Sequence, residues 1–469
     1  MNTLDPETLH RTTKLELDEG RAQSLEEAQE IMKRYVLQID AGIGVLESET
    51  RQAMLLTAVN TAARAFLGGV RVRICERGRM GLSWAHEMDM VEAIKVYGGE
   101  IVETLSSEYP TLVIGEVSQP TGSLVVFGTW EGWSGGVVEK AKDRLCETVE
   151  FPLAGMLAAS LGVSEAFQNL RGNVFASRRS AGLSLWEPRR DWREKSAFGE
   201  PCLYLPKRLW LIGLGHLGQA YAWALGLLPY EDTSDVDLML QDFDHIVKAN
   251  ESTGMLINET LVGQKKTRAV SKRLEALGFN TSITERQFDL NTRRNDNEPG
   301  VALVGVDAPT PRRQLEGAGF DLIVDAGLGG GQSNYLEILV HSFPSGIKAV
   351  DAFPVSNRQR GNSLVDLPAY KDHHQKMREA TDLTDAEIDC GIIEVAGRSI
   401  GAAFVGSFAA TFVISEVLRN LAGIPECAVF SVSLQNPDKS QASIKRPEEG
   451  RAINSGFVKA RISTHRANS

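Results

Sequence analysis

The stretch LWLIGLGHLGQAYAWAL, Leu209 to Leu225, decides the fold. Its opening apolar run reads as a buried strand and the residues from His216 onward as a helix, so Gly213, Gly215 and Gly218 fall on the strand-to-helix turn. Glycine is needed there because the turn is tight, a phosphate oxygen must approach the backbone, and a helix start presents unpaired N–H groups. The plain alternative is that the glycines serve only the turn. The next strand ends in Gln241-Asp242-Phe243-Asp244, where a carboxylate accepts hydrogen bonds from ribose hydroxyls. That suits NAD and ATP equally, and it marks residues 207–326 as a Rossmann-type unit.

Outward from this unit, apolar runs at 208–212, 236–243, 281–286, 301–307, 322–326 and 335–343 alternate with helical segments, as a mostly parallel sheet requires. Residues 35–175 alternate in the same way but have no glycine fingerprint after any strand, so a degenerate α/β half is expected there. Residues 1–34 read as a helical arm, with Ser24 and Glu27 at capping-box spacing. The Arg-, Ser- and Pro-rich residues 176–206 read as the linker, 207–434 as the nucleotide-binding domain and 435–469 as a polar tail, partly disordered or a docking arm. The polar segment 344–388 reads as a crossover loop, with adjacent His373 and His374 exposed to solvent.

Composition narrows the function. With 42% hydrophobic and 24% charged residues the chain is globular, and a net charge of −11 would repel a phosphate backbone, so nucleic acid is not the expected partner. The five cysteines form no C-x-x-C pair, which excludes a zinc motif read from spacing and suits a reducing cytoplasm. No secretory signal is read at the polar N-terminus. Segment 400–415 is uncharged but rich in small residues and falls short of a span of about 20 apolar residues, so a buried helix is expected and no membrane partner.

Beyond Asp244 the sequence resembles the ubiquitin-activating-enzyme superfamily, including the ThiF and MoeB enzymes. The resemblance is carried by the Asp-x-Asp strand end at Asp242 and Asp244, by Asn250, by Val262-Gly263-Gln264-Lys265-Lys266, and by Asp307 in VALVGVDAPTPRRQL. It extends through the Gly-rich turn of Leu322–Phe343 and DCGIIEVAGRSIGAAFVGSFAATF, in which Cys390 precedes a small-residue turn and a buried helix. The resemblance implies that Asp242 and Asp244 lie at the nucleotide ribose, that Asn250 and Lys266 contact phosphates, and that Asp307 helps hold Mg²⁺. It implies ATP as cofactor, a ubiquitin-like or small carrier protein as partner, an inert first half paired with an active second half, and a homodimer. Cys390, in ThiF-like members, stands where a sulfur linkage with the carrier forms. The charges agree: attack of a carboxylate on an α-phosphate calls for a lysine and a metal-binding carboxylate.

One position departs from the pattern. Where the family has the arginine of Asn-x-x-Arg, this chain has Thr253, so the missing cation would have to come from Arg312 or Arg313, or from Arg11 or Arg21 of a partner's arm. The expected function is ATP-dependent adenylation of a carrier's C-terminal carboxylate, with thiol transfer through Cys390. The alternatives are a nucleotide-binding scaffold, favoured by Thr253, and an NAD(P)-dependent oxidoreductase.

Overall fold

The computed structural model describes residues 4–354, 365–381, 384–445 and 451–461. The first half contributes strands β1 Leu37–Ala41, β2 Val70–Ile74, β3 Gly99–Ile101, β4 Pro110–Ile114, β5 Leu124–Glu131, β6 Ser134–Val138 and β7 Ala181–Ser184. They form one sheet in the order β3-β2-β1-β4-β5-β6-β7. The second half contributes β8 Tyr204–Pro206, β9 Arg208–Ile212, β10 Asp237–Gln241, β11 Asn280–Thr284, β12 Val301–Val304, β13 Leu322–Leu328, β14 Glu337–Phe343, β15 Cys427–Ser433, β16 Gln441–Ile444 and β17 Phe457–Lys459. Its main sheet runs β11-β10-β9-β12-β13-β14-β15-β16, and β17 pairs with β8.

The two sheets repeat one plan. In each, five strands are parallel in the order 3-2-1-4-5 and the strands after the fifth are antiparallel. The central strands, LQIDA and RLWLI, are buried almost throughout, as parallel strands covered on both faces are. Each half also places a 19-residue helix between its antiparallel strands, Pro152–Leu170 and Ala403–Leu421. These helices pack together through Phe167 and Phe404, ring centroids 5.5 Å apart, and a 2.8 Å hydrogen bond between the hydroxyls of Ser160 and Ser407. Small residues allow this approach, and every residue of Ala403–Leu421 is buried within the protein, which accounts for its length and apolarity without a membrane. One hydrophobic core therefore spans both halves.

Three segments differ from their compositional reading. Residues 176–206, read as a linker, supply β7, and Trp192 packs on Gly182 where a Cβ would stand 2.2 Å from the ring. Residues 344–388, read as a loop, contain the helix Pro368–Ala380 and the first turn of the helix Asp385–Gly397. Residues 435–469, read as a tail, supply β16 and β17. β17 pairs with β8 and the helices of 368–397 pack on the N-terminal arm, partners distant in sequence of which local composition carries no trace, whereas β16 pairs with its neighbour β15.

The N-terminal arm and the helices of 368–397 form a second small core containing Leu4, Leu9, Leu17, Tyr370, Ile388 and Ile392. A buried ion pair between Lys14 and Asp18 (2.5 Å) lies within it, and Tyr370 donates to Asp18 (2.6 Å). His373, expected in solvent, is buried here and accepts from the Leu4 N–H through Nδ1 (3.3 Å); His374 is partly exposed, 3.3 Å from Asp389.

Candidate nucleotide-binding site

The glycine turn joins β9 to the helix His216–Leu227, at the C-terminal ends of the parallel strands where open α/β sheets bind ligands. Gly213 takes φ +83°, which a side chain rarely adopts, and a Cβ on Gly218 would stand 1.9 Å from the Gly213 carbonyl oxygen. Gly215 caps the helix and faces open space. The glycines thus divide the work: conformation at Gly213, close packing at Gly218, and room for a ligand at Gly215.

Asp242 is buried, accepting from Leu214 N through one oxygen (2.7 Å) and from Asp244 N through the other (2.8 Å). It therefore ties the glycine turn to the end of β10, and a carboxylate has about four acceptor positions, leaving two for a ribose. Asp244 is more exposed and pairs with Lys266 (2.8 Å), whose side chain is 10% exposed at the first position of the helix Lys266–Glu275. A lysine at that position opposes the helix dipole, and the Asp244 carboxylate offsets the cost. Asn250 accepts from Val247 N (3.0 Å) through its side-chain oxygen, so its amide N–H groups are the part it can offer a ligand. Asp307 is exposed just past β12, beside the glycine turn, since Gly305 donates to the Ile212 carbonyl (2.9 Å).

Among the four arginines considered for the missing cation, three are spoken for. Arg312 forms a bidentate pair with buried Asp325, with Nε to Oδ1 at 2.8 Å, and lies over the Phe353 ring. Arg313 donates to the carbonyls of Val350 and Phe353, and Arg21 pairs with Glu16 and Glu19. Arg11 is different. Its backbone N–H donates to Ser252 Oγ (3.2 Å), beside Thr253, and one guanidinium nitrogen is buried without a partner. Burial and the neighbouring Arg398 hold its pKa below the ordinary arginine value, while Asp307 pulls the other way, so it lies within electrostatic reach of Asp307. The arm thus brings a cation to the site from within the same chain.

Family models for the BilD N-terminal domain and the BilD C-terminal domain match residues 36–185 and 205–424. Bacterial E1-like protein BilD of Collimonas sp. (strain OK412) is 39% identical over 425 residues, 90% of each chain. The chain belongs to the BilD family of bacterial E1-like proteins. That agrees with the superfamily its motifs resemble. Among solved structures, E. coli MccB with ATP is 13% identical over 69% of this chain and 95% of its own (TM-score 0.30). E. coli tRNA N6-threonylcarbamoyladenosine dehydratase, TcdA, is 12% identical over 46% and 86% (TM-score 0.29).

This BilD-family chain carries the same turn in its first half, but closed. By strand register, Gly42-Ile43-Gly44 stands where Gly213-Leu214-Gly215 stands, and Cys75 and Val117 stand where Asp242 and Asp307 stand. Ile43 and Glu116 exchange both backbone hydrogen bonds at 3.0 Å, so the Ile43 N–H is consumed, and a Cβ on Gly42 would meet the Glu116 carbonyl at 2.2 Å. The acids are gone and part of the cradle is paired within the protein.

The structure does not bring every residue together. Cys390 lies in the interior of the helix Asp385–Gly397, on its exposed face, and no hydrogen bond ties it to the glycine turn. Arg64 and Gln219, which sequence reading missed, support the site from outside; neither sits in a motif, and only the contacts reveal them.

Proposed function

We propose that the chain uses ATP and Mg²⁺ to adenylate the C-terminal carboxylate of a ubiquitin-like or other small carrier protein. The single observation that carries this reading is Arg11: a partly buried guanidinium that donates to the Pro6 carbonyl through one nitrogen and keeps another buried and unpaired, beside the loop where the family arginine is replaced by Thr253. Displacement at an α-phosphate builds negative charge, and such a cation offsets it.

Mg²⁺ usually keeps several waters and binds through one or two carboxylates plus phosphates, so Asp307 fits it although no cluster of three or more ligating side chains occurs among the described residues. When bound, Mg-ATP supplies the electrophilic phosphorus and the pyrophosphate leaving group. The chain's own residues do the rest. Gly213, Gly215 and Gly218 let the phosphates approach the backbone; Asp242 holds the turn and Asp244 sets Lys266 beside it. Lys266, Asn250 and Arg11 meet phosphate oxygens, and Asp307 orients the metal. The two halves of one chain supply the pairing of active and inert units. Cys390, exposed on a helix that shares its core with the arm carrying Arg11, is the residue for onward thiol transfer.

Carrier-dependent ATP–pyrophosphate exchange tests the reading. Exchange that requires Mg²⁺ and the carrier's free carboxylate supports it; tighter binding of NAD or NADP than of ATP would sink it.

A further inference from the structure

The rim of the nucleotide site is held by a side chain from the inert half. Arg64 follows the helix Glu49–Ala63, and hydrogen bonds engage every nitrogen of its guanidinium. Nε donates to Gly254 O (2.8 Å), Nη1 to the backbone and side-chain oxygens of Asn60, and Nη2 to Met255 O (3.3 Å) and Ile257 O (3.1 Å). Asn60, one turn earlier on the same helix face, donates from Nδ2 to Met255 O (3.1 Å). Residues 254–257 form no helix or strand, yet Met255, Leu256 and Ile257 are buried, so their carbonyls need partners that regular structure does not provide.

The clamped segment is joined to the site on both sides. Upstream, Gly254 N donates to the Asn250 carbonyl (2.7 Å). Downstream, Leu256 N donates to Gln219 Oε1 (3.1 Å), and Gln219 Nε2 donates to the carbonyl of Leu214, between Gly213 and Gly215 (3.1 Å). A continuous run of hydrogen bonds thus leads from Arg64 through the segment and Gln219 to the glycine turn.

We infer that Arg64 is a positioning residue for the nucleotide: the first half, closed to ligands itself, sets the glycine turn and Asn250 of the second half through this clamp. The inference rests on the glycine turn being a nucleotide site, not on adenylation. Lysine keeps the charge but concentrates its donors on one atom and cannot reproduce a fork onto three carbonyls, so Arg64→Lys separates charge from geometry.

The test uses the full chain and measures calorimetric affinity for α,β-methylene-ATP with Mg²⁺ and for NAD. The variants are Arg64→Lys, Arg64→Ala, Asn60→Ala, Gln219→Met and the Arg64→Ala/Gln219→Met double. Hydrogen exchange of residues 250–258 and melting temperature are followed in parallel. Arg64→Lys, Arg64→Ala and Gln219→Met should each weaken binding about tenfold or more, with faster exchange at 250–258, because each breaks a buried network involving charged or amide groups. The double variant should bind about as weakly as the worse single one, since both act through one segment. Wild-type affinity in Arg64→Lys, whatever its melting temperature, or effects that multiply in the double variant, overturn the clamp. Should Arg64→Ala fail to fold, Arg64→Lys combined with Gln219→Met gives the same comparison. A wild type that prefers NAD overturns adenylation while the clamp is judged on NAD; a wild type that binds neither overturns both.

Discussion

Gly218 is the residue at which the site leaves least freedom. Its missing Cβ would stand 1.9 Å from a backbone oxygen that cannot swing aside, so Gly218→Ala should cost about 1–3 kcal/mol of stability, as overpacking does. Nucleotide binding should fall with it, read by denaturant unfolding and calorimetry on the same sample. Arg11 makes the opposite case: its backbone is tied to Ser252, but one side-chain nitrogen has no partner. Arg11→Ala should therefore spare the fold and lower ATP–pyrophosphate exchange about 100-fold, the usual loss when one transition-state donor is removed. Among the cysteines, burial pushes the thiols of Cys202 and Cys427 up to about 12, whereas Cys390 and Cys146 are exposed. Iodoacetamide at neutral pH should label Cys390 well before Cys202 or Cys427, and equal rates measured by peptide mass spectrometry would remove Cys390 from the thiol-transfer step. The glycine turn and the place of Asp242, Asp244 and Asp307 at strand ends were legible in the sequence, because a tight strand-to-helix turn restricts what can stand there. Arg11 was one arginine among four until its position beside Ser252 set it apart.

Elements that look self-sufficient in sequence and elements that do not have different origins. The helix Leu25–Met32 was readable because Ser24 accepts from Glu27 N (3.2 Å), a contact three residues long. The helices of 368–397 were not, because the apolar face of Tyr370, Ile388 and Ile392 is covered by the N-terminal arm from the far end of the chain. Leu17 is fully buried in that small core, so Leu17→Ala should cost about 2–5 kcal/mol locally. Limited proteolysis should then cut within 365–397 first and leave the two sheets intact; cleavage no faster than in wild type would show that the arm does not hold those helices.

At the scale of the molecule, two copies of one strand plan share a single core, and only the second keeps its glycine turn open. Calorimetry should give one ATP per chain, and a second site of comparable affinity would contradict the closed turn at Ile43 and Glu116. The buried histidines predict the acid response. Burial lowers His10, His216 and His341 from 6.5 to about 4, so between those values only the unfolded chain takes up their protons. Stability must then fall as pH drops from about 6.5 towards 4, while buried Asp18, Asp325 and Glu416, pushed up by burial, oppose the fall at its acid end. A melting temperature that is flat between pH 7 and 5 would refute this, and His10→Gln should reduce the slope. Local chemistry alone determined the parallel α/β plan, the glycine turn and the acids at the strand ends, because strand periodicity, left-handed backbone and phosphate recognition each act over a few residues. Tertiary structure alone decided that Arg11 lies against Ser252 of its own chain, that the first half closes its own turn, and that Arg64 holds the carbonyls of residues 254–257, because these contacts join residues far apart in sequence, where no local pattern constrains either partner.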